Sequence, residues 1–364
     1  MYNAPGLPIS WNKNQYKEGT NEYVAVRPEL KKQIEELYRK HPEEARDSFG
    51  EDPFEVKNIL KYWVFSEKPE FHVIPTDTIN IHIDKDALLR SGIMLPKTIR
   101  HLKGEDLKDA IPDKLYIPLT DIRMLTKVDL LMLEMLANCN WERPLYLAIS
   151  VGSVSKLKFD NYFVQEGLAF RFTPFDYKKW GDVGENRLYA VDVERLYNNV
   201  MNRYKYGGLD TPGLYLDETT LRTCWYHRRL FAQLAKELIA QGDNERAKKV
   251  LAYAEQVIPG YNVPETHESG SYDIATAYAA LGEKTKAVTL AVHLIAEAED
   301  YINWAFSLKG NRIEMVRNDC IYKFWQWNQY NELLKKIDGE KYKESNRRFE
   351  EKYALFAPTM NYKN

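Results

Sequence analysis

The 364-residue chain has no long hydrophobic run and little cysteine. Its longest apolar runs, such as "LLMLEMLA", fall well short of the roughly 18–20 residues that a membrane-spanning helix needs. The first residues lack the basic and apolar regions of a signal peptide. The three cysteines, Cys139, Cys224 and Cys320, are too far apart for a disulfide framework or a metal site, and we expect them to be small buried apolar residues.

An excess of either charge is also missing, since 51 basic and 53 acidic side chains give a net charge of -2. A nucleic-acid partner is not expected, because such proteins normally carry a basic face. Glycine-rich phosphate loops, the nucleophile motif GxSxG and the zinc motif HExxH are absent, so we expect no cofactor. His82 and Asp84 share one face of a predicted strand. Without further ligands, a solvent-facing strand edge explains them better than a metal.

Aromatic residues are abundant, at 13% of the chain with 25 tyrosines. Aromatic rings stack on sugar faces and anchor protein interfaces, although a tyrosine-rich scaffold without special purpose is the simpler interpretation. Residues 1–25 read as an irregular, aromatic-rich lead-in, an unusual start for a natural chain. Met1 is therefore interpreted as a truncation point, with an ordinary irregular N-terminus as the alternative.

The rest of the chain divides into two parts that differ in their predicted secondary structure. Residues 26–190 alternate short strand-like runs with helices, which predicts an α+β or α/β domain with a small mixed sheet. Residues 191–357 are almost wholly helical, and residues 358–364 form a tail. The predicted fold is thus an α/β N-terminal domain followed by an all-α domain of helical repeats.

Two helices open the first domain. One charged helix is expected over residues 27–49, with Leu30 and Ile34 on its apolar face. A second is expected from Asp52 as N-cap, with Pro53 in the first helical position.

Strands are expected in "TINIHID", "DKLYIPL", "RPLYLAIS" and "LAFRFTPF", with Pro118 at a strand end. Thr126 is expected to cap the helix "TKVDLLMLEMLANC". The strands on either side of that helix would then form a βαβ unit with parallel strands and a right-handed crossover.

A repeat organises the second domain. "RRLFAQLAKELIAQGDNERAKKVLAYAEQVIP" and "YDIATAYAALGEKTKAVTLAVHLIAEAE" each carry the small residues and the turn glycine of a tetratricopeptide repeat. The glycines, Gly242 and Gly282, lie 40 positions apart rather than the usual 34 or so, and the excess falls in "GYNVPETHESG". Because two repeats rarely stand alone, "VDVERLYNNVMNRY" and "IYKFWQWNQYNELLKKI" are expected to cap them.

Candidate binding residues follow from this architecture. Tetratricopeptide grooves bind extended or helical peptides through their inner helices, and the groove-facing side chains here would include Arg229, Lys236, Tyr272 and Thr276. The alternative is that these side chains are only solvated.

A second candidate is the loop "YGGLDTPGLYLDETTLR". Its glycines and a proline favour an exposed turn, which carries the side chains of Asp210 and Tyr215. Such a loop could bind a ligand. Asp217 is also a natural N-cap for the helix that follows, and this structural role is the preferred interpretation.

The stretch "NCNWERPLYLAIS" raises a third possibility, because Trp141, Glu142 and Arg143 stand together. The structural interpretation is that Asn138 or Asn140 ends a helix in a left-handed cap, Trp141 covers the core, and the charged pair holds the junction. Glu142 and Arg143 are a poor acid–base pair, because adjacent strand residues point to opposite faces.

A family resemblance rests on "NWERPLYLA", "VQEGLAFRFTPF" and the run from "RLYNNVMNRYKYGG" to "LAKELIAQGD", with "YNAPGLPISWNKNQYKEGTNEYV" before them. Together these resemble the C-terminal region of a bacterial membrane-protein family of unknown function, related to the protein O-mannosyltransferases of the GT-C type. The resemblance implies that a separate membrane half carries the catalytic acid and takes the sugar from a lipid-phosphate donor. No position here matches that acid, so no catalytic residue is carried over.

The resemblance therefore implies a periplasmic, extracytoplasmic accessory domain that is not an enzyme by itself. Its partners would be its own membrane-spanning half, its only link to the membrane, and a polypeptide acceptor that it recognises or positions. One alternative is a structural or oligomerisation module that stabilises the membrane half. Another is a free-standing sugar-active enzyme, but the sequence offers no facing pair of carboxylates for it.

Overall fold

The chain divides into two compact units, Met1–Asp192 and Val193–Asn364. Most of the predicted lead-in, residues 1–22, and the end of the predicted tail, residues 361–364, lie outside the described residues. The computed structural model describes residues 23–151, 157, 159–184, 189–308 and 312–360.

The first unit is an α+β domain whose strands form three small sheets. The strands are β1 (Tyr23–Val26), β2 (Val73–Ile74), β3 (Thr78–His82), β4 (Lys114–Pro118), β5 (Met124–Thr126), β6 (Tyr146–Ala148), β7 (Phe163–Gln165), β8 (Ala169–Phe172) and β9 (Ala190–Val191).

Both larger sheets are mixed, as the sequence predicted. In the first, with order β2-β1-β5, β1 is parallel to β2 and antiparallel to β5. In the four-stranded sheet, with order β6-β8-β7-β9, only β7 and β9 run parallel. Strands β3 and β4 form an antiparallel pair of their own.

Helices and one shared core complete the first unit. In β4, Leu115 and Ile117 are buried and Tyr116 is exposed, which is the alternation of a strand with one face on the core. Ile79 and Ile81 of β3 join the same core. The helices are α1 (Leu30–Lys40), α2 (Pro42–Phe49), α3 (Val56–Ile59) with a π-helical continuation (Leu60–Val64), α4 (Lys85–Arg90), α5 (Gly104–Ala110) and α6 (Lys127–Asn138).

The predicted βαβ unit is wrong. Strand β4 pairs antiparallel with β3, whereas β6, which follows α6, pairs antiparallel with β8 in another sheet. The short strand β5, which the sequence reading missed, separates β4 from α6 and pairs with β1. A crossover makes two strands parallel only when both join one sheet, and here they do not.

Two helix boundaries also differ from prediction. The helix expected over residues 27–49 breaks at His41, because Pro42 disfavours a helical residue before it and starts α2 instead. Asp52 does not cap a helix: its carboxylate accepts from the Phe54 N–H and from Lys114 Nζ at 2.6 Å, and α3 begins only at Val56.

Other local predictions are confirmed. Thr126 caps α6 through a reciprocal capping box with Asp129, in which each side chain accepts from the other residue's N–H. Pro118 ends β4. Cys139, Cys224 and Cys320 are free and buried.

The second unit is all helical in its described part. Its helices are α7 (Val193–Asn198) with a π-helical continuation (Asn199–Arg203), α8 (Glu218–Ala240), α9 (Asn244–Val257), α10 (Ser271–Ala280), α11 (Lys284–Ser307), α12 (Arg312–Met315), α13 (Arg317–Ile337) and α14 (Gly339–Met360). Asp217 caps α8 by accepting from the Thr219 and Thr220 N–H groups, as predicted. Within the described residues, no helix is both long enough and apolar enough to span a membrane.

The two hairpins, α8–α9 and α10–α11, end their first helices in the same way. Gly242 and Gly282 have φ of 80° and 79°, a left-handed conformation that suits glycine. The Asp243 N–H bonds to the Leu238 carbonyl, and the Glu283 N–H, 40 positions on, bonds to the Tyr278 carbonyl. The two hairpins therefore share one turn geometry at the predicted spacing of 40 positions.

The loop that joins the hairpins is held by one buried arginine. Arg228 of α8 is only 3% exposed, and its guanidinium donates to the carbonyls of Ile258, Val263 and Pro264 and to Ser269 Oγ at 2.6–3.1 Å. Burial lowers the pKa of Arg228 to about 10, so the group stays charged at neutral pH. We call this loop, residues 258–270, the inter-repeat loop.

Replacing this arginine tests its role. We expect Arg228→Met to lower the free energy of unfolding of the second unit by about 3 kcal/mol or more, because each buried carbonyl left unpaired costs about 1–3 kcal/mol. Arg222→Met is the matched control on the same helix: Arg222 is exposed in an ion pair with Glu218, so its loss should cost no more than about 0.5 kcal/mol. Urea denaturation followed by far-UV circular dichroism measures both, and equal stabilities would contradict the assigned role.

Candidate functional site

Two of the four predicted groove residues meet at one surface. Arg229 of α8 donates through Nε to the Glu268 carbonyl at 2.6 Å, and through Nη2 to the same oxygen. Tyr272 of α10 stacks on His267, with ring centroids 5.8 Å apart and an interplanar angle of 17°. The inter-repeat loop therefore joins α8 and α10 at this point.

The other two groove residues make no such contacts. Lys236 is exposed on α8. The Thr276 hydroxyl donates to the Asp273 carbonyl of its own helix at 2.8 Å. The structure thus places all four residues on α8 and α10 but brings only Arg229 and Tyr272 to one surface.

His267 is the centre of a ring cluster that we call the aromatic face. Its Nδ1 lies 2.8 Å from the hydroxyl of Tyr330, with which it shares a hydrogen bond. The edges of Tyr322 and Trp325 approach the His267 ring at 6.0 and 5.6 Å between centroids. The aromatic face consists of His267, Tyr272, Tyr322, Trp325 and Tyr330.

Tyr322 and Trp325 supply the accessible part of this face. They are 45% and 49% exposed, and they lie three residues apart on α13, one helical turn from each other. Their rings stack with centroids 5.6 Å apart and an interplanar angle of 12°. Such a pair offers a flat, rigid apolar surface with polar tips, which is the composition of binding hot spots.

Polar groups border the aromatic face. The Glu268 carboxylate accepts from Gln326 Nε2 at 3.1 Å and lies 3.9 Å from Lys323 Nζ. Gln326 is fully buried, and its Oε1 has no hydrogen-bond partner within the part of the chain that the structure describes. Buried polar atoms are nearly always paired, so this oxygen is an exception at the border of the aromatic face.

A glycine allows the loop to approach α8 closely. Gly270 has φ of 85°, and a Cβ at this position would lie 2.9 Å from Cγ and 3.3 Å from Cα of Arg229. Both the backbone conformation and the close approach therefore require glycine. Its position fixes His267 and Glu268 above α8 and α10.

Burial changes the protonation of the cluster. It lowers the pKa of His267, against the opposing effect of the Glu268 and Asp273 carboxylates. Burial would raise the pKa of Glu268, but its own backbone N–H and Lys323 outweigh burial, and the pKa is lowered. At neutral pH the aromatic face therefore holds a neutral imidazole beside a carboxylate.

The loop over residues 206–222 has a structural role next to the inter-repeat loop. Tyr261 donates its hydroxyl proton to the Asp210 carbonyl at 2.7 Å, and Asn262 Nδ2 donates to the carbonyls of Leu209 and Thr211. Tyr215 is 90% exposed. The contacts of Asp210 are backbone contacts, which any residue could make.

The Trp141 junction has the features of a packed turn. Asn140 and Trp141 have φ of 50° and 60°, so the left-handed cap predicted for Asn140 is present and continues through Trp141. The Trp141 indole is buried, donates to the His82 carbonyl at 2.9 Å and stacks on Phe172. Glu142 and Arg143 are exposed, and Glu142 pairs with Arg90 at 3.6 Å.

Sequence reasoning missed most of the aromatic face. The segment "GYNVPETHESG", which contains His267, was interpreted only as the excess between two repeats, and Tyr322 and Trp325 only as part of a capping helix. The sequence did contain one signal: Tyr322, Trp325 and Gln329 are spaced so that they lie on one side of α13. In the structure this side is joined to α10, because the Tyr272 hydroxyl donates to the Gln329 carbonyl. Within the described residues, no group of three or more possible metal ligands occurs.

Comparison with known proteins gives one result. A family model described as TMEM260-associated domain 2 matches residues 1–194 of the 364-residue chain. No curated protein and no solved structure matches the chain.

The neutral state of His267 predicts a pH dependence. Because burial lowers its pKa below the usual 6.5, the unfolded chain takes up a proton that the folded chain resists, so stability falls as pH drops below about 6.5. Between about pH 7.5 and 5.5, the melting temperature of the wild type should fall more than that of His267→Gln, which keeps a neutral partner for Tyr330. The control is His101→Gln at an exposed turn, which should follow the wild type; parallel curves for all three proteins would refute the assignment.

Proposed function

The chain belongs to the family of TMEM260-associated domain 2, an accessory domain of a protein O-mannosyltransferase-related family, and we propose that it recognises the polypeptide acceptor of that transferase. Recognition is assigned to the aromatic face. The membrane-spanning and catalytic steps are assigned to a separate half of the parent protein, and this chain is proposed to act beside it on the extracytoplasmic, periplasmic side.

The observation that carries the proposal is the exposed, stacked pair of Tyr322 and Trp325 beside the inner helices. Aromatic-lined surfaces bind extended peptides, because rigid rings lose little conformational entropy and accept apolar side chains on their flat faces. Arg229 and the Glu268 carboxylate lie at the border, where they can bond to a peptide's polar groups. The helical-hairpin architecture supports the same use, since tetratricopeptide-like repeats present such surfaces on their inner helices.

The aromatic face is suited to positioning rather than to chemistry. His267 is neutral, its Nδ1 is bonded to Tyr330, and its ring is enclosed by Tyr272, Tyr322 and Trp325. Transfer to a Ser or Thr hydroxyl would therefore take place elsewhere, while this face holds the flanking residues. An acceptor held on a rigid face reaches the reacting group at a higher effective concentration.

Peptide binding tests the proposal. Arrayed unstructured peptides containing Ser and Thr identify a binder, and its affinity for the 364-residue chain is measured by fluorescence polarisation. Because hot-spot aromatics contribute about 2 kcal/mol or more, we expect Trp325→Ala to weaken binding roughly 30-fold. The matched control is Trp304→Ala, since Trp304 is also a helical tryptophan that is 49% exposed, and it should leave affinity unchanged. No saturable peptide, or equal losses in both variants, would reject the aromatic face.

A variant of the parent protein distinguishes acceptor recognition from a structural role of this chain. When Trp325→Ala is introduced there, recognition requires that the membrane half still folds while acceptor modification falls. A structural module predicts the reverse order: modification is lost only when assembly of the membrane half is lost.

A further inference from the structure

The second unit contains a cavity of about 400 Å³ outside the aromatic face. It is lined by residues of α9, α10 and α11, by Arg228 of α8 and by the inter-repeat loop. This volume falls within the range of small-molecule sites, roughly 300–1,000 Å³. Leu251, Ile274 and Leu290 line it with apolar side chains, and Glu255, Glu265 and Thr289 with polar ones.

Three polar groups of the cavity are already paired with one another. The Glu255 carboxylate accepts from Lys286 Nζ at 2.8 and 3.0 Å and from the Tyr278 hydroxyl. The Lys286 ammonium also lies 4.9 Å from the centroid of the Tyr278 ring. This triad gives the wall a fixed polar segment with no net charge, because Glu255 and Lys286 cancel.

Three other polar side chains line the cavity. Glu265 is half-buried, and Thr289 and His293 are exposed, so all three side chains are accessible to a ligand in the cavity. Glu265 packs against Gly260, with its carboxyl carbon 3.3 Å from where a Cβ would stand, so its position is fixed by the loop. An acceptor, a hydroxyl and an imidazole thus stand ready to bond to a ligand.

The remaining surface selects the class of ligand. The negative charge of Glu265 is offset by Arg228, so the cavity is close to neutral and does not favour an ion. Leu251, Ile274 and Leu290 provide an apolar part of the lining. A ligand that matches carries several hydroxyls on one edge, an apolar C–H face and no net charge.

We propose that this cavity binds a small neutral polyhydroxylated molecule, a monosaccharide or disaccharide unit, with Glu265 and Thr289 bonding to its hydroxyls. The site is separate from the aromatic face, and it does not depend on that face binding a peptide. A free sugar and a sugar attached to a polypeptide share this chemistry.

Ligand-observed saturation-transfer NMR and calorimetry on the 364-residue chain test the proposal. The probes are glucose, galactose, mannose and maltose, with glucuronate and glucosamine as the charged counterparts. We expect saturable binding of at least one neutral sugar and at least tenfold weaker binding of both charged probes. Binding of no neutral sugar, or preferential binding of a charged probe, overturns the proposal.

Variants locate the site. Glu265→Gln and Thr289→Val, which nearly preserve side-chain shape, should each weaken sugar binding about tenfold, as expected for loss of one hydrogen bond to a charged group or hydroxyl. Glu245→Gln is the control, an exposed glutamate on α9 outside the cavity, and it should bind as the wild type. Circular dichroism melting verifies that each variant is folded. Unchanged affinity in both cavity variants refutes the site.

Two further arms separate the possible outcomes. Tyr322→Ala/Trp325→Ala should retain sugar binding; its loss there would move the sugar to the aromatic face and overturn the cavity site. A peptide bearing one O-linked hexose is compared with the same peptide without the sugar. Sugar-dependent binding that is lost in Glu265→Gln supports a polypeptide-attached source, and binding of the free sugar alone supports a soluble one.

Discussion

The second unit depends on the hydrogen bonds that the buried guanidinium of Arg228 donates. The guanidinium donates to three carbonyls and a hydroxyl of the inter-repeat loop, and so holds Ile258, Val263, Pro264 and Ser269 against α8. An arginine suits this position because its planar fork donates in several fixed directions while remaining charged. The cost of burying the charge is offset by these bonds, and in return an extended loop acquires one conformation.

That single conformation organises both proposed sites. One part of the inter-repeat loop carries His267 into the aromatic face. Another carries Glu265 into the cavity beside α9 and α11. Tyr261 and Asn262 of the same loop donate hydrogen bonds to carbonyls of the turn over residues 206–217. The inter-repeat loop, which holds the residues by which this repeat exceeds the usual spacing, therefore contributes a side chain to each proposed site, in agreement with the general tendency of function to lie on loops held by a rigid scaffold.

The adjacent arginines of "HRRLF" illustrate the limit of sequence reasoning. Arg229 was chosen as a groove residue, and its neighbour was passed over, although Arg228 lies on the buried side of α8 with Cys224, Phe231 and Ala235, at spacings of four, three and seven residues. A charged residue on an apolar helical face indicates a buried polar network. The partners of Arg228 could not be predicted, because they lie 30–41 residues away in a loop without periodicity.

The features that could be predicted from the sequence are those that depend on interactions between residues close together in the chain. Thr126, Asp217, Gly242 and Gly282 act within a few residues of themselves, through caps and turns, so their roles and the division into an α+β part and a helical part were predictable. Only the tertiary structure decided which strands share a sheet and which rings meet at His267. Those outcomes depend on pairings across long stretches of chain, where a short run such as β5 can take a partner that no local pattern specifies.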